Sequence, residues 1–329
     1  MLARRLLVVP ASAIAAVALI AGPADAAATK TVASPAALVY VSNHGDYDLW
    51  TVNADGSGKA QLTHSSTTTT TAWNSAKTEW APAFSPDRQW LAYQSSRAGT
   101  PDVVIRNVRT GEYRTLAATS ASEAPAGWYQ AADGLRVAFV VGPATGGGPY
   151  ALWSVRTDGT DAVQLIDGSR DARSFAATAT TAYASLLDAD GATRVYSFST
   201  GTPVGSAPDL APVTVGPNDS NLAVSPAGDL IFDRTVNGTG ELWALPAGGP
   251  ETTSNPAHLL VHKGVWASNP EVSPQGTMLA FASNPDGAVA HGDVYVAPLT
   301  GSGATLAAGL SKLVVGDSTY QDSQPTWSR

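Results

Sequence analysis

One short strand signature occurs six times along the chain and constrains its fold more than any other feature. It reads Asp48-Leu49-Trp50-Thr51-Val52, Asp102-Val103-Val104-Ile105, Ala151-Leu152-Trp153-Ser154-Val155, Arg194-Val195-Tyr196-Ser197-Phe198, Glu241-Leu242-Trp243-Ala244-Leu245 and Asp293-Val294-Tyr295-Val296. Its third position is always aromatic or β-branched, which suits a half-buried pleated surface. A turn glycine follows each copy within a few residues: Gly56, Gly111, Gly159, Gly201, Gly248 and Gly301. The copies begin at 48, 102, 151, 194, 241 and 293, so they recur every 43 to 54 residues. That interval is the size of a four-stranded propeller blade. Helical repeats of this period would place apolar residues every 3.6 positions, whereas these segments alternate by two.

Other strands fall into register around the marker. Ahead of it lie Trp90-Leu91-Ala92-Tyr93, Arg136-Val137-Ala138-Phe139, Asp229-Leu230-Ile231-Phe232 and Met278-Leu279-Ala280-Phe281. Before those come strands ending in Ser-Pro turns, at Ser85-Pro86, Ser225-Pro226 and Ser273-Pro274. The first blade lacks such an opening strand, because Ala37-Leu38-Val39-Tyr40-Val41 already reads as its second. The last residues, Gln324-Pro325-Thr326-Trp327-Ser328, mirror Ala81-Pro82-Ala83-Phe84-Ser85 and supply the missing piece. The expected fold is therefore all-β: a six-bladed β-propeller of four-stranded antiparallel blades, closed by the C-terminal strand. Closure removes a sheet edge that would otherwise invite aggregation. With 31 glycines, 22 prolines and 44% hydrophobic residues, the composition suits many short strands over an ample core. There is no cysteine, so packing alone must hold the ring.

The run Tyr47-Asp48-Leu49-Trp50-Thr51-Val52-Asn53-Ala54-Asp55-Gly56, continuing to Leu62-Thr63, resembles the WD40-like PD40 repeat of TolB-type propellers. So does Pro82-Ala83-Phe84-Ser85-Pro86-Asp87 followed by Trp90-Leu91-Ala92-Tyr93. The resemblance covers nearly all of residues 37–329 and is weakest in the fourth blade, about 171–215, where the Ser-Pro turn is missing. It implies a six-bladed propeller exported from a bacterium. TolB itself also carries an N-terminal α/β domain, for which this sequence leaves no room. Fold alone does not fix an activity.

Residues 1–26 read as a Sec signal peptide: Arg4 and Arg5, an apolar stretch from Leu6 to Gly22, then Ala24-Asp25-Ala26 as a cleavage site. Residues 27–36 form a short leader and 37–329 the propeller. Location outside the cell or in its envelope follows as an expectation. No later stretch approaches the ~18–20 apolar residues of a spanning helix, so no membrane span is expected after cleavage. The formal charge is −8, and setting aside Arg4, Arg5 and Asp25 leaves −9, a poor balance for binding nucleic acid.

Long loops on one face are where such a ring would bind. These are His64 to Glu79, Val141 to Pro149, Gly205 to Asn221, Asn284 to Gly292 and Gly316 to Gln324. Residues just before the innermost strands should ring the channel mouth: Glu79, Trp80, Glu123, Asn221, Asn269, Asp322 and Gln324. Their carboxylates and amides suit a peptide, a sugar or a cation such as Ca²⁺, although no cofactor is required. Trp80 and Trp73, beyond the polar run Ser65–Thr71, could stack on a partner. His258 and His262 are ~13 Å apart along one strand at ~3.3 Å per residue, too far to share a metal. Neither HExxH nor GxSxG occurs. The sequence reading is a secreted, monomeric binding or scaffold propeller that engages a protein or peptide, with carbohydrate as another ligand class. The alternative is an extracellular polysaccharide lyase or hydrolase using a channel-bound cation.

Overall fold

A computed structural model describes residues 37–44, 47–64, 78–143, 148–262, 266–284, 292–300, 305–306, 312–316 and 320–328. The signal segment 1–26, the leader 27–36, the run 65–71 and Trp73 lie outside them. The described residues form six four-stranded antiparallel blades, the fifth and sixth joined into one larger sheet that also takes in the two-residue strand Thr305–Leu306. Blade one is Asp322–Trp327, Ala37–Ser42, Asp48–Asn53 and Ala60–Gln61. Blade two is Glu79–Phe84, Trp90–Ser95, Asp102–Asn107 and Tyr113–Ala117. Blade three is Ser122–Ala131, Gly134–Gly142, Ala151–Arg156 and Val163–Ile166. Blade four is Ser174–Ala177, Thr181–Leu187, Thr193–Ser199 and Ala211–Pro212. Blade five is Asp219–Val224, Leu230–Val236, Thr239–Leu245 and His258–Val261. Blade six is Trp266–Val272, Met278–Asn284, Asp293–Thr300 and Lys312–Val315. Each innermost strand packs against the innermost strands on either side, and the strand Asp322–Trp327 bridges blades six and two. The ring is closed as the sequence leads one to expect.

The marker strands are the third strands, and their apolar second residues (Leu49, Val103, Leu152, Val195, Leu242 and Val294) are fully buried. The Ser-Pro turns owe their recurrence to one bond. The serine hydroxyl accepts from a backbone N–H at or just before the start of the returning strand: Trp90 to Ser85 at 3.0 Å, Asp229 to Ser225 at 3.1 Å, and Met278 to Ser273 at 3.0 Å. Adjacent blades are sewn together by backbone bonds at the start of the inner strand. Glu79 N–H donates to Tyr47 O, Glu123 to Pro101 O, Ala172 to Tyr150 O and Asp322 to Gly292 O, all at 2.8–2.9 Å. At the fifth-to-sixth junction a single parallel bridge, Gly240 to Trp266, does the same work. Two indoles add a second stitch. Trp128 Nε1 donates to Ala83 O at 2.9 Å, and Trp327 Nε1 to Glu271 O at 3.0 Å.

One loop assignment changes. The segment from Gly205 to Asn221 is interrupted by the outer strand Ala211–Pro212. Residues 205–210 thus belong to the connection between third and outer strands, on the opposite face, and only 213–218 lead back toward the channel mouth. Among the described residues, no helix is long and apolar enough to cross a membrane.

Candidate binding channel

The inner strands are not regular. In five of the six blades the pairing between first and second strands slips by one residue: at Trp80/Ala83, Pro125/Gly127, Ser220/Ala223 and Ser268/Glu271, and opposite Val39/Val41 in blade one. Each slip is a β-bulge, which bends the strand and re-aims its side chains. Four bulges open on a residue in the left-handed region, Gln324 (φ 50°), Ala81 (51°), Asn221 (45°) and Asn269 (52°). Asparagine tolerates that region better than most residues. An aromatic ring on the second strand faces every bulge: Tyr40, Tyr93, Phe139, Phe232 and Phe281, all buried.

Blade four is the exception. Its pairing runs without a slip, with Phe175 opposite Ala184. The aromatic ring comes from the inner strand and the small residue from the second, the reverse of the other five blades. Phe175 packs 5.6 Å from Tyr129 and 6.3 Å from Phe198, ring centre to ring centre.

The bulges surround a central channel of about 480 Å³. On blades five, six and one the bulge residues are amides: Asn221, Asn269 and Gln324. On blades two, three and four the corresponding wall is Ala81, Pro125, Ala126 and Phe175. The polar arc is knit across the blades. Gln324 Oε1 accepts from Ala81 N–H at 2.9 Å. Asn221 Nδ2 donates to Asp233 Oδ2 at 2.6 Å, and Ser268 Oγ to the same oxygen at 2.7 Å. Burial pushes the Asp233 carboxyl up to about 7, against the pull of Asn221, Ser268 and the Asn269 backbone N–H.

Glu271 and Arg88 both line the channel toward the end where the inner strands finish. Burial lifts Glu271 to about 7, and Arg88 only partly offsets this. Arg88 donates through Nη1 to Trp327 O at 2.8 Å. At the other end, Arg173 lines the mouth and is held by Asp171, with Nε at 2.9 Å and Nη2 at 2.5 Å from Oδ2.

The seven residues read from the sequence therefore divide. Asn221, Asn269 and Gln324 line the channel. Glu79, Glu123 and Asp322 do not ring its mouth: all three are fully buried, each at the start of an inner strand in a different blade junction. Burial raises Glu79 to about 7 despite Arg97, whose Nε lies 2.9 Å from Oε1. Trp80 packs across a junction, with its ring 4.5 Å from Tyr47. Sequence reasoning missed Glu271, Arg88 and Asp233. Glu271 lies two positions beyond Asn269, where the other bulged strands carry Thr326, Ala83, Gly127 and Ala223, so aligning the inner strands would have exposed it.

No family model matches the chain, and no curated protein matches it in sequence. Solved structures do resemble it in fold. TolB from Acinetobacter baumannii is similar at TM-score 0.62 and 16% identity, over 89% of this chain and 66% of that one. The chain thus spans about two thirds of that TolB. A structure of a nidogen/laminin complex aligns at TM-score 0.61 and 11% identity, over 90% of this chain and 99% of the other. A TolB described as such from Agrobacterium tumefaciens aligns at TM-score 0.55 and 13% identity, over 89% and 99%. At these identities the likeness is one of architecture, and the chain has the fold of a TolB-like β-propeller.

Proposed function

We propose that this propeller is a secreted binding scaffold that engages a protein or peptide through its channel and loop-bearing face. The carrying observation is the two-sided channel. An arc of amides from blades five, six and one faces a wall of Ala, Pro and Phe from blades two, three and four. An extended peptide presents alternating amide edges and side chains, and such a wall complements both. Sugar recognition would favour exposed aromatic faces, but the wall's Phe84, Trp128 and Phe175 are buried in blade packing. The lyase or hydrolase reading needs an acid, a base and a cation site converging at one mouth. Glu271 is the one carboxylate among the described lining residues. One similar propeller fold was solved in a nidogen/laminin complex, which lends weight to a protein partner.

The test is selection of displayed random peptides on the purified protein, repeated with Ala177→Trp, which fills the channel wall. Enrichment of peptides that bind the parent and lose at least tenfold in affinity for the variant is the expected result. Equal binding to both would remove the channel from the function. Fractionation of the producing cell tests export, and retention of the protein in the cytoplasm would sink that part.

A further inference from the structure

Arg173 stands at the channel mouth on the loop-bearing face, and three neighbours fix it there. Asp171 Oδ2 accepts from Nε at 2.9 Å and from Nη2 at 2.5 Å, and the guanidinium carbon lies 5.2 Å from the centre of the Tyr150 ring. Asp171 is itself held: it is buried, and its Oδ1 accepts from Tyr150 N–H at 2.8 Å. Gly148 completes the cradle, since a Cβ there would come 3.0 Å from Asp171 Oδ1 and 3.2 Å from Arg173 Nη2. These contacts use one edge and one face of the guanidinium. The other edge, Nη1 with the second N–H of Nη2, has no hydrogen-bonding partner among the described residues, and the side chain is 47% exposed. A planar fork of that kind matches the two oxygens of a carboxylate.

Blade packing does not call for this charge. The junction of blades three and four is closed by backbone, with Ala172 N–H on Tyr150 O at 2.9 Å. At the junctions closed in the same way by Glu79, Glu123 and Asp322, the next residue is Trp80, Ala124 and Ser323. The charged side chains of the described lining are Arg173, Arg88 and Glu271. Arg88 and Glu271 act on each other toward the far end, where a ligand carboxylate would meet Glu271. Like charges so placed disfavour binding, so an acid in the channel belongs at the mouth.

We infer that Arg173 is the specificity-determining residue of the channel, anchoring an aspartate or glutamate side chain of a peptide segment that runs out over the loop-bearing face. This rests on the channel being the peptide site proposed above. The carboxylate is that of a side chain, because the anchor stands at the mouth, where an inserted segment continues outward to the rest of its protein. Asp171 and Tyr150 act through Arg173 as positioning residues, holding the fork before the ligand arrives.

The probes are random peptides displayed as amino-terminal fusions, which have no free carboxyl terminus, and then one selected peptide made synthetically, acetylated and amidated, beside its counterpart with the acid exchanged for the amide. Selection on the parent should enrich Asp or Glu at one position, and selection on Arg173→Gln should lose that enrichment. The acid-to-amide exchange should weaken binding about tenfold on the parent and less than about twofold on Arg173→Gln. A merely structural arginine would weaken both peptides alike. Enrichment without an acid, or the same loss on parent and variant, overturns the inference and leaves the channel reading standing. A parent that enriches no peptide overturns the channel reading and this inference together. Should Arg173→Gln fail to fold with Asp171 unpaired, Arg173→Lys keeps the charge without the fork and should shrink the acid-to-amide difference several-fold; an undiminished difference overturns the inference.

Discussion

Blade four apart, the two halves of the channel share a bulged inner-strand backbone and carry opposite chemistry on it. Blades five, six and one carry the bulge residues Asn221, Asn269 and Gln324; blades two and three carry Ala81 and Pro125 at the same place. Whatever packing demands of a blade recurs in every blade, as the buried marker residues and the aromatic rings facing the bulges do. Chemistry that changes from one half of the ring to the other is not demanded by packing. The amide arc is therefore a feature that the blade repeat alone does not explain, even though Gln324 and Asn221 also bond across the blades.

The sharpest way to break the comparison is to remove the strand that completes the polar arc. Trp327 is 1% exposed, and its indole reaches Glu271 O. Trp327→Ala should cost about 3–5 kcal/mol. Deleting Gln324 to Arg329 should abolish a single cooperative unfolding transition, as read by chemical denaturation. An unaltered transition would mean that blade one closes without its C-terminal strand.

Blade four offers the next largest test, because it joins the apolar arc by a different route. Phe175→Ala should destabilise by about 3 kcal/mol. Adding Ala184→Phe restores the volume from the opposite strand of the same pair, as in the other five blades. The double variant should recover about 1 kcal/mol or more of that loss. A strictly additive double variant would show that the two positions do not exchange volume.

The halves also differ in what they bury. Asp233 sits under the amide arc with Oδ1 unpartnered and its carboxyl lifted to about 7 by burial. The folded state holds this proton more tightly than the unfolded chain, whose aspartates titrate near 3.9. The associated stability is fully present below about pH 3.9 and is lost as pH rises through 7. Glu79, Glu123 and Glu271 are raised to about 7 for the same first reason and add to the slope. Asp233→Asn keeps an acceptor for Asn221 and Ser268 and cannot ionise. It should stabilise the protein by about 1–2 kcal/mol at pH 8 and flatten the decline between pH 5 and 7 in urea melts. A variant less stable than the parent at pH 8 would show that Asp233 is held ionised.

Much of the ring was legible because its determinants are local and repeat. Alternation, turn glycines and Ser-Pro turns each act within a few residues, and Trp327 betrays the closing strand by matching Phe84. The bulges were not legible, since they depend on how a strand meets its neighbour. The acids illustrate the consequence. Glu79, Glu123 and Asp322 occupy the right end of the inner strands, but a strand's period of two sends them into the junctions while the bulge turns its own residue to the channel. Blade four was weak in sequence for a physical reason: it has exchanged its aromatic residue between strands and shed one residue from the inner one.

The smallest expected effect on stability is the most informative about the arc. Asn269 holds φ at 52°, where glycine is at ease and a side chain is tolerated at some expense. Asn269→Gly keeps the bulge, including the backbone N–H that serves Asp233, and deletes only the amide. Relief of the left-handed conformation and the added freedom of the unfolded chain oppose each other, so the net change should stay within about 0.5 kcal/mol. Ala81→Gly relieves the same backbone strain on the apolar side and removes only a methyl group. If the amide arc is the binding surface, Asn269→Gly should weaken peptide capture several-fold at almost unchanged Tm, and Ala81→Gly should not. Equal losses from the two would make the bulged backbone, common to both halves, the surface that binds.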